Sequence, residues 1–281
     1  MTVPKHISGL RDLQGRFDAF LIDQFGVLRD GRGPYPEAAA TLAALKQTGA
    51  RIIILSNSGK RSAENDRRLA KLGFDPASWD WFLTSGEVAW QILAAESAKA
   101  EKQTTRCLLI SRDGDTSPLD GLELERTQSG DDADIVLIAA SEGDIHDLDH
   151  YRQLLEPAAK RGVPCLCTNP DKIMLTTEGT AFGAGRIAEL YQELGGEVRW
   201  IGKPFADIYV SALDFLGNPD PARVCCIGDS IEHDIAGAAG AGLKSMLVKT
   251  GILAGSSPQQ LQTLFAEHGA IPDYTIDRFI W

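Results

Sequence analysis

The chain has 281 residues, 43% of them hydrophobic and 24% charged, enough for a sizeable core in one large or two medium domains. Its formal charge of −11 excludes the basic footprint of a nucleic-acid binder or of a protein drawn to an anionic membrane. A phosphate-bearing substrate must then be met by a local positive group or a metal. No apolar run approaches the ~20 residues of a membrane span, and the opening MTVPKHISGLRDLQGRFD has no apolar secretory core. Five cysteines, Cys107, Cys165, Cys167, Cys225 and Cys226, form no Cys-x-x-Cys pair. Four lie in apolar, strand-like runs, which fits buried reduced thiols and a cytoplasmic location. None of the five histidines neighbours a cysteine, so no zinc site is expected.

The first predicted element is a buried strand over Ala19–Ile22, ending at the carboxylate of Asp23 and followed by Phe25-Gly26. Pro34 and Pro36 predict a helix running to Gln47, with Gly49 as its stop. The β-branched run Arg51–Leu55 predicts a second strand that breaks at Ser56-Asn57-Ser58-Gly59-Lys60. A helix to Leu72, a short strand Trp81–Thr84 and a helix from Glu87 to Lys102 follow. This βαβα alternation is that of a parallel sheet.

The middle of the chain differs. Strands are predicted at Arg106–Ser111, Ile135–Ala140 and Val163–Cys167, with a polar stretch over Asp113–Asp134 and a helix near Leu148–Arg161. A helix Ala184–Leu194 and a strand Val198–Ile201 lead to Gly202-Lys203-Pro204 and a helix Phe205–Leu216. A buried strand Arg223–Ile227 ends at Gly228-Asp229. Helix Ile235–Ala241 and strand Ser245–Val248 come next. Ser257-Pro258-Gln259-Gln260 reads as a capping box opening a last helix to about His268.

Three strand ends thus carry polar groups: Asp23, Ser56-Asn57, and Gly228-Asp229 with Asp234 five residues on; Lys203 starts a helix. Each alone is common. Together they are the parts that phosphoryl transfer from a monoester needs. A carboxylate nucleophile divides hydrolysis into two steps, and carboxylates hold Mg²⁺. Ser56, the amides of Asn57 and Ser58, and Lys203 can hold the phosphoryl oxygens.

In this order the motifs resemble those of the haloacid dehalogenase (HAD) superfamily, specifically the class IIA hydrolases with a C2-type cap, and the match covers nearly the whole chain. Asp23 aligns with the family nucleophile, Ser56 with its second motif, Lys203 with its third, and Gly228–Asp234 with its fourth. Thr168-Asn169-Pro170-Asp171 is similar to the family's cap signature. The resemblance implies an α/β fold, a doubly wound parallel-sheet core over 1–87 and 199–281 with an inserted α/β cap over 88–198. It implies a Mg²⁺-dependent phosphatase of small phosphorylated metabolites that works through an aspartyl phosphate. The metal set would be Asp23, the Phe25 carbonyl and Asp229, with Asp234 orienting ligands or Lys203. Substrate selectivity would lie in the cap, at Asn169–Gly185 with Asn169 and Asp171. Relatives of this class commonly form homodimers through the cap.

One position departs from the pattern. The family's general acid, two residues after the nucleophile, is here Phe25, which has no proton to give. Asp30, Glu232 and His233 are the candidates to replace it. The alternative to an enzyme is therefore a phosphometabolite-binding or regulatory protein with little turnover. Among other signals, the His146/His150 pair reads as a solvated helix start, and Gly183-Ala-Gly185 as a helix start rather than a nucleotide site. Trp79, Trp81 and Trp90 are expected to be core anchors. Lys60 and Arg61 read as surface charges, with substrate contact as the less favoured reading. Asp171 either closes an Asx turn or faces the substrate.

Overall fold

The computed structural model describes residues 3–97, 105–176 and 179–281. The chain folds as two compact units. One comprises Met1–Ser56, Ala63–Leu83 and Lys203–Trp281; the other comprises Asn57–Ser62 and Thr84–Gly202.

The first unit is built on a seven-stranded sheet in the order Lys5–His6, Tyr274–Ile276, Lys244–Val248, Val224–Gly228, Ala19–Asp23, Arg51–Ser56, Trp81–Thr84. Pairing among the first six of these strands is parallel. Ala19–Asp23 and Val224–Gly228 are buried at every position, which is why they read as unbroken apolar runs rather than alternating ones. Phe20, Ile22, Ile52, Ile54 and Ile227 meet Leu42 and Leu69 of the crossover helices Ala38–Gln47 and Ser62–Lys71 in one apolar core. Ala19–Asp23 pairs on one side with the next strand in sequence and on the other with a strand some two hundred residues later. The strand order reverses there, and the crevice beyond the carboxyl ends is the place where sheets of this kind bind ligands.

The second unit has a five-stranded parallel sheet in the order Val198–Trp200, Cys165–Cys167, Ile135–Ile138, Thr105–Ile110, Leu124–Thr127. It also has an antiparallel hairpin, Ile173–Thr176 with Gly179–Phe182. Tyr191, fully buried in its core, donates its hydroxyl to the Val163 carbonyl at 2.6 Å.

The predicted elements recur within a few residues of their expected ends, with instructive exceptions. Leu124–Thr127 lies in the stretch read only as polar; it is a half-exposed edge strand whose polar residues hide it from periodicity. Lys5–His6 and Tyr274–Ile276 are too short to announce themselves. The hairpin interrupts what reads as one long loop. Ile231–Ile235 forms a π-helical turn leading into helix Ala236–Gly240, where a single helix from Ile235 was expected. The helix expected over Glu87–Lys102 spans Ser85–Ser97, and its predicted end lies outside the described residues. The capping box is as read: Ser257 and Gln260 exchange side-chain and backbone hydrogen bonds. All five cysteines are free and buried. Among the described residues no helix is long and apolar enough to cross a membrane.

Candidate active site

The register of the first sheet sets Ile22 beside Ile227 and Asp23 beside Leu55. Asp23, Ser56 and Asp229 therefore leave three neighbouring strands at the same edge. Lys203 reaches this edge from the segment before helix Ala206–Phe215. Its ammonium, 4% exposed as a residue, lies 2.5 Å from Asp23 Oδ1 and 2.6 Å from Asp234 Oδ1. Asp234 gives its other oxygen to the Ser230 amide at 3.0 Å, so both its oxygens are engaged by protein donors. Asp229 Oδ2 accepts the Ile252 amide at 2.9 Å. Two glycines with left-handed backbones make room for that carboxylate. A Cβ would stand 2.1 Å from Asp229 Oδ2 at Gly26 and 1.9 Å from it at Gly251.

Two buried carboxylates thus share one ammonium, with a third, Asp229, beside them. Burial pushes the Asp23 carboxyl well above the ordinary range, Lys203 works against that, and Asp234 and Asp229 add to it. Burial, then Asp234, pushes Asp229 up to about 7. Burial opposes the charge on Lys203, but Asp23 and Asp234 outweigh it and hold the ammonium far above its usual value. The unbalanced negative charge and the all-oxygen donor set suit a hard divalent cation. Among the described residues no three His, Cys, Asp or Glu side chains are placed to hold a metal by themselves. A cation here would rest on Asp23 and Asp229 with a backbone carbonyl.

The segment Thr250–Ile252 was not singled out in the sequence, yet it closes this site. The Thr250 hydroxyl donates to the Gly26 carbonyl, and Ile252 supplies the amide that holds Asp229. The available signal was its place directly after strand Lys244–Val248, another carboxyl end of the same sheet.

Phe25 is 45% exposed, with the Arg29 guanidinium 5.3 Å from its ring centroid. Of the candidate replacement acids, Asp30 closes its own turn, accepting the Arg32 and Gly33 amides at 2.7 and 3.2 Å. Glu232 is exposed on the π turn. The His233 backbone is tied to Ser230 and Tyr209.

The other predicted site residues belong to the second unit. Asn57, which is buried, donates to Asp171 at 3.0 Å; Asn169 Oδ1 accepts the Asp171 amide at 3.1 Å. The Asx turn is therefore made by Asn169. Arg61 grips both oxygens of Glu87 at 2.7 and 3.0 Å, with its guanidinium 4.0 Å from the Trp90 ring centroid. Trp81 likewise lies under a guanidinium, that of Arg51 in the first unit, at 5.0 Å. Trp79 is a core anchor of the first unit, its indole N–H bonded to Asp66. The other two are half-buried shelves for arginines. Arg61→Ala should then cost stability, about 1–2 kcal/mol, and leave the ratios of kcat/KM among phosphate esters within about twofold. Melting curves and a substrate panel check both. His146 and His150 stack at 4.1 Å on the second unit's surface.

Family models for haloacid dehalogenase-like hydrolases match residues 20–125, and for HAD-hydrolase-like proteins residues 200–279, together about two thirds of the chain. The chain belongs to the HAD-like hydrolases. It is 26% identical to chronophin of Rattus norvegicus over 96% of this chain and 88% of that protein. The solved p-nitrophenyl phosphatase of Archaeoglobus fulgidus superposes with a TM-score of 0.74 at 28% identity, covering 93% of this chain and 96% of that one. A Mycobacterium tuberculosis glycerol phosphate phosphatase, solved in complex with magnesium, superposes at 0.73 with 25% identity, over 95% and 76%.

Proposed function

We propose that this phosphoric monoester hydrolase cleaves small phosphorylated metabolites through an aspartyl phosphate on Asp23, with Mg²⁺ as its metal. The observation that carries the reading is the Asp23–Lys203–Asp234 group beside Asp229 at one sheet edge. Lys203 ties one oxygen of Asp23 and so aims the other. That oxygen attacks phosphorus while the ester oxygen leaves with the bonding pair. Water then attacks the acyl phosphate, releasing phosphate and restoring Asp23. Asp234 fixes Lys203, whose charge offsets that of the phosphoryl oxygens. Ser56 and the Asn57 and Ser58 amides are their further holders. Asp23, the Phe25 carbonyl and Asp229 would hold Mg²⁺, which would supply charge neutralisation when bound. The second unit acts as the cap and sets selectivity through the segment that follows Cys165–Cys167. Buried free thiols support a cytoplasmic setting.

Phosphate release from p-nitrophenyl phosphate and a metabolite panel tests this. Mg²⁺-dependent turnover that Asp23→Asn abolishes is the expected result. Binding of phosphorylated ligands without turnover favours the second reading, a binding protein, for which the protonless Phe25 speaks.

Metal binding should also show in stability. A carboxyl raised to about 7 in the fold favours the folded state while protonated. That advantage disappears as pH rises through 7, so metal-free protein loses stability there. Mg²⁺ needs Asp229 ionised, so its stabilisation, roughly 5 °C at saturating metal, should be larger at about pH 8 than at about pH 6. Thermal melts with Mg²⁺ and with chelator check it. Equal melts at both pH values would count against Asp229 as a ligand.

A further inference from the structure

The turn that follows strand Arg51–Ser56 is packed into the second unit. A Cβ on Gly59 would stand 1.9 Å from the Ala139 carbonyl oxygen and 2.9 Å from Thr168 Oγ1, beyond the ends of strands Ile135–Ile138 and Cys165–Cys167. The Gly86 amide donates to the Ser58 carbonyl at 3.1 Å. Asn57, 8% exposed, sends its carboxamide nitrogen to Asp171 Oδ1 at 3.0 Å. Its oxygen faces Gly202, where a Cβ would stand 2.9 Å away. Asp171 is itself fixed by its amide to Asn169 Oδ1, and its carbonyl accepts the Gly185 amide at 3.0 Å at the start of helix Ala184–Glu193.

We propose that Asp171 is a positioning residue for phosphate binding: its carboxylate anchors the Asn57 side chain and so sets the direction of the Asn57 and Ser58 amides. The inference rests on the reading that those amides hold phosphoryl oxygens. A bond from an amide to a carboxylate is directional and stronger than one between neutral groups. Only two side-chain torsions separate the Asn57 carboxamide from its own backbone, so a fixed carboxamide leaves that backbone little freedom. Displacing the amides by an ångström is enough to weaken a grip of this kind. Every substrate carries the same phosphoryl group. Loss of Asp171 therefore lowers affinity for all of them alike, whereas a residue touching the leaving group would discriminate among them.

The test compares Asp171→Ala, Asp171→Asn and Asn57→Ala with the wild type in Mg²⁺. Asp171→Ala should raise the inhibition constant of inorganic phosphate about tenfold and lower kcat/KM for p-nitrophenyl and naphthyl phosphate by one common factor. Asp171→Asn keeps an acceptor oxygen and should lose no more than about threefold. In the Asn57→Ala background, Asp171→Ala should cost nothing further. Unchanged phosphate inhibition with an altered substrate ratio, or an Asn variant as damaged as the Ala variant, overturns the proposal. A wild type that does not bind phosphate overturns the phosphate-grip reading instead. Amide exchange across residues 56–60 then reads the mechanical link alone. Faster exchange in Asp171→Ala that Asp171→Asn restores upholds the link, and unchanged exchange removes it.

Discussion

Lys203→Met should reduce turnover by roughly 10³-fold or more and lower the melting temperature by about 10 °C. The ammonium is the shared partner of Asp23 and Asp234, at 2.5 and 2.6 Å in a buried setting. Removing one member of a buried ion pair costs about 3–5 kcal/mol, because the remaining charges keep their desolvation penalty and lose what offset it. Here two carboxylates would be stranded, with Asp229 repelling both. Burial, with the neighbouring carboxylates, already pushes the Asp23 carboxyl above its ordinary range, and the variant lacks the ammonium that works against them. Groups shifted in that direction support the fold while protonated and weaken it as pH rises through the folded pKa. The stability deficit of the variant should therefore shrink as pH falls toward about 5 and widen toward about 8. Saturating Mg²⁺ should recover part of the stability and little of the turnover, since it cannot replace the bond that aims Asp23. Melts across pH, with and without Mg²⁺, together with kcat, measure all three. A variant that melts like the wild type at about pH 8 would show that Lys203 does not carry this charge balance.

The pairing of Lys203 with Asp23 and Asp234 is a tertiary fact, although the sequence names each participant. Asp23, Ser56 and Asp229 were legible because each ends an apolar run too short for a helix, and parallel strands present such ends at one edge. Lys203 stood out as a lysine at a helix start. Its division between two carboxylates depends on side-chain reach across about thirty residues of chain on one side and nearly two hundred on the other. No local pattern records that. Thr250–Ile252 was missed because its contribution is backbone amide and hydroxyl, which residue type barely signals. Leu124–Thr127 was hidden by its exposure, because an edge strand with polar residues on both faces has no apolar period. Arg61 and Trp90 looked like independent surface and core residues. Their pairing arises where the Asn57–Ser62 turn meets helix Ser85–Ser97, a tertiary fact.

Phe25→Asp should raise hydrolysis of simple alkyl phosphates by roughly 10²-fold and change aryl phosphate hydrolysis far less. Phosphoryl transfer has a loose transition state in which charge builds on the departing oxygen. A phenolate tolerates that charge, whereas an alkoxide needs a proton, and Phe25 has none to supply. The wild type should therefore favour aryl and acyl phosphates. It should also accumulate phosphorylated Asp23, because the attacking water lacks a base as well; rapid quench and mass measurement would show the adduct. The position can accept a carboxyl group, since the ring is 45% exposed and displaces no core residue. Arg29 bears on the size of the gain. Its guanidinium lies 5.3 Å from the Phe25 ring centroid and its Nε and Nη2 are turned to the Asp30 carbonyl, so it would favour the ionised form of the new side chain. A general acid must be protonated when the bond breaks. The gain on alkyl esters should then be larger at about pH 5 than at about pH 8, and Phe25→Asp with Arg29→Ala should extend it to higher pH. If the wild type already hydrolyses alkyl phosphates as fast as aryl ones, and Phe25→Asp changes neither, the proton comes from another residue. Glu232 and His233 would be the first to replace, because Asp30 already spends an oxygen on its own turn.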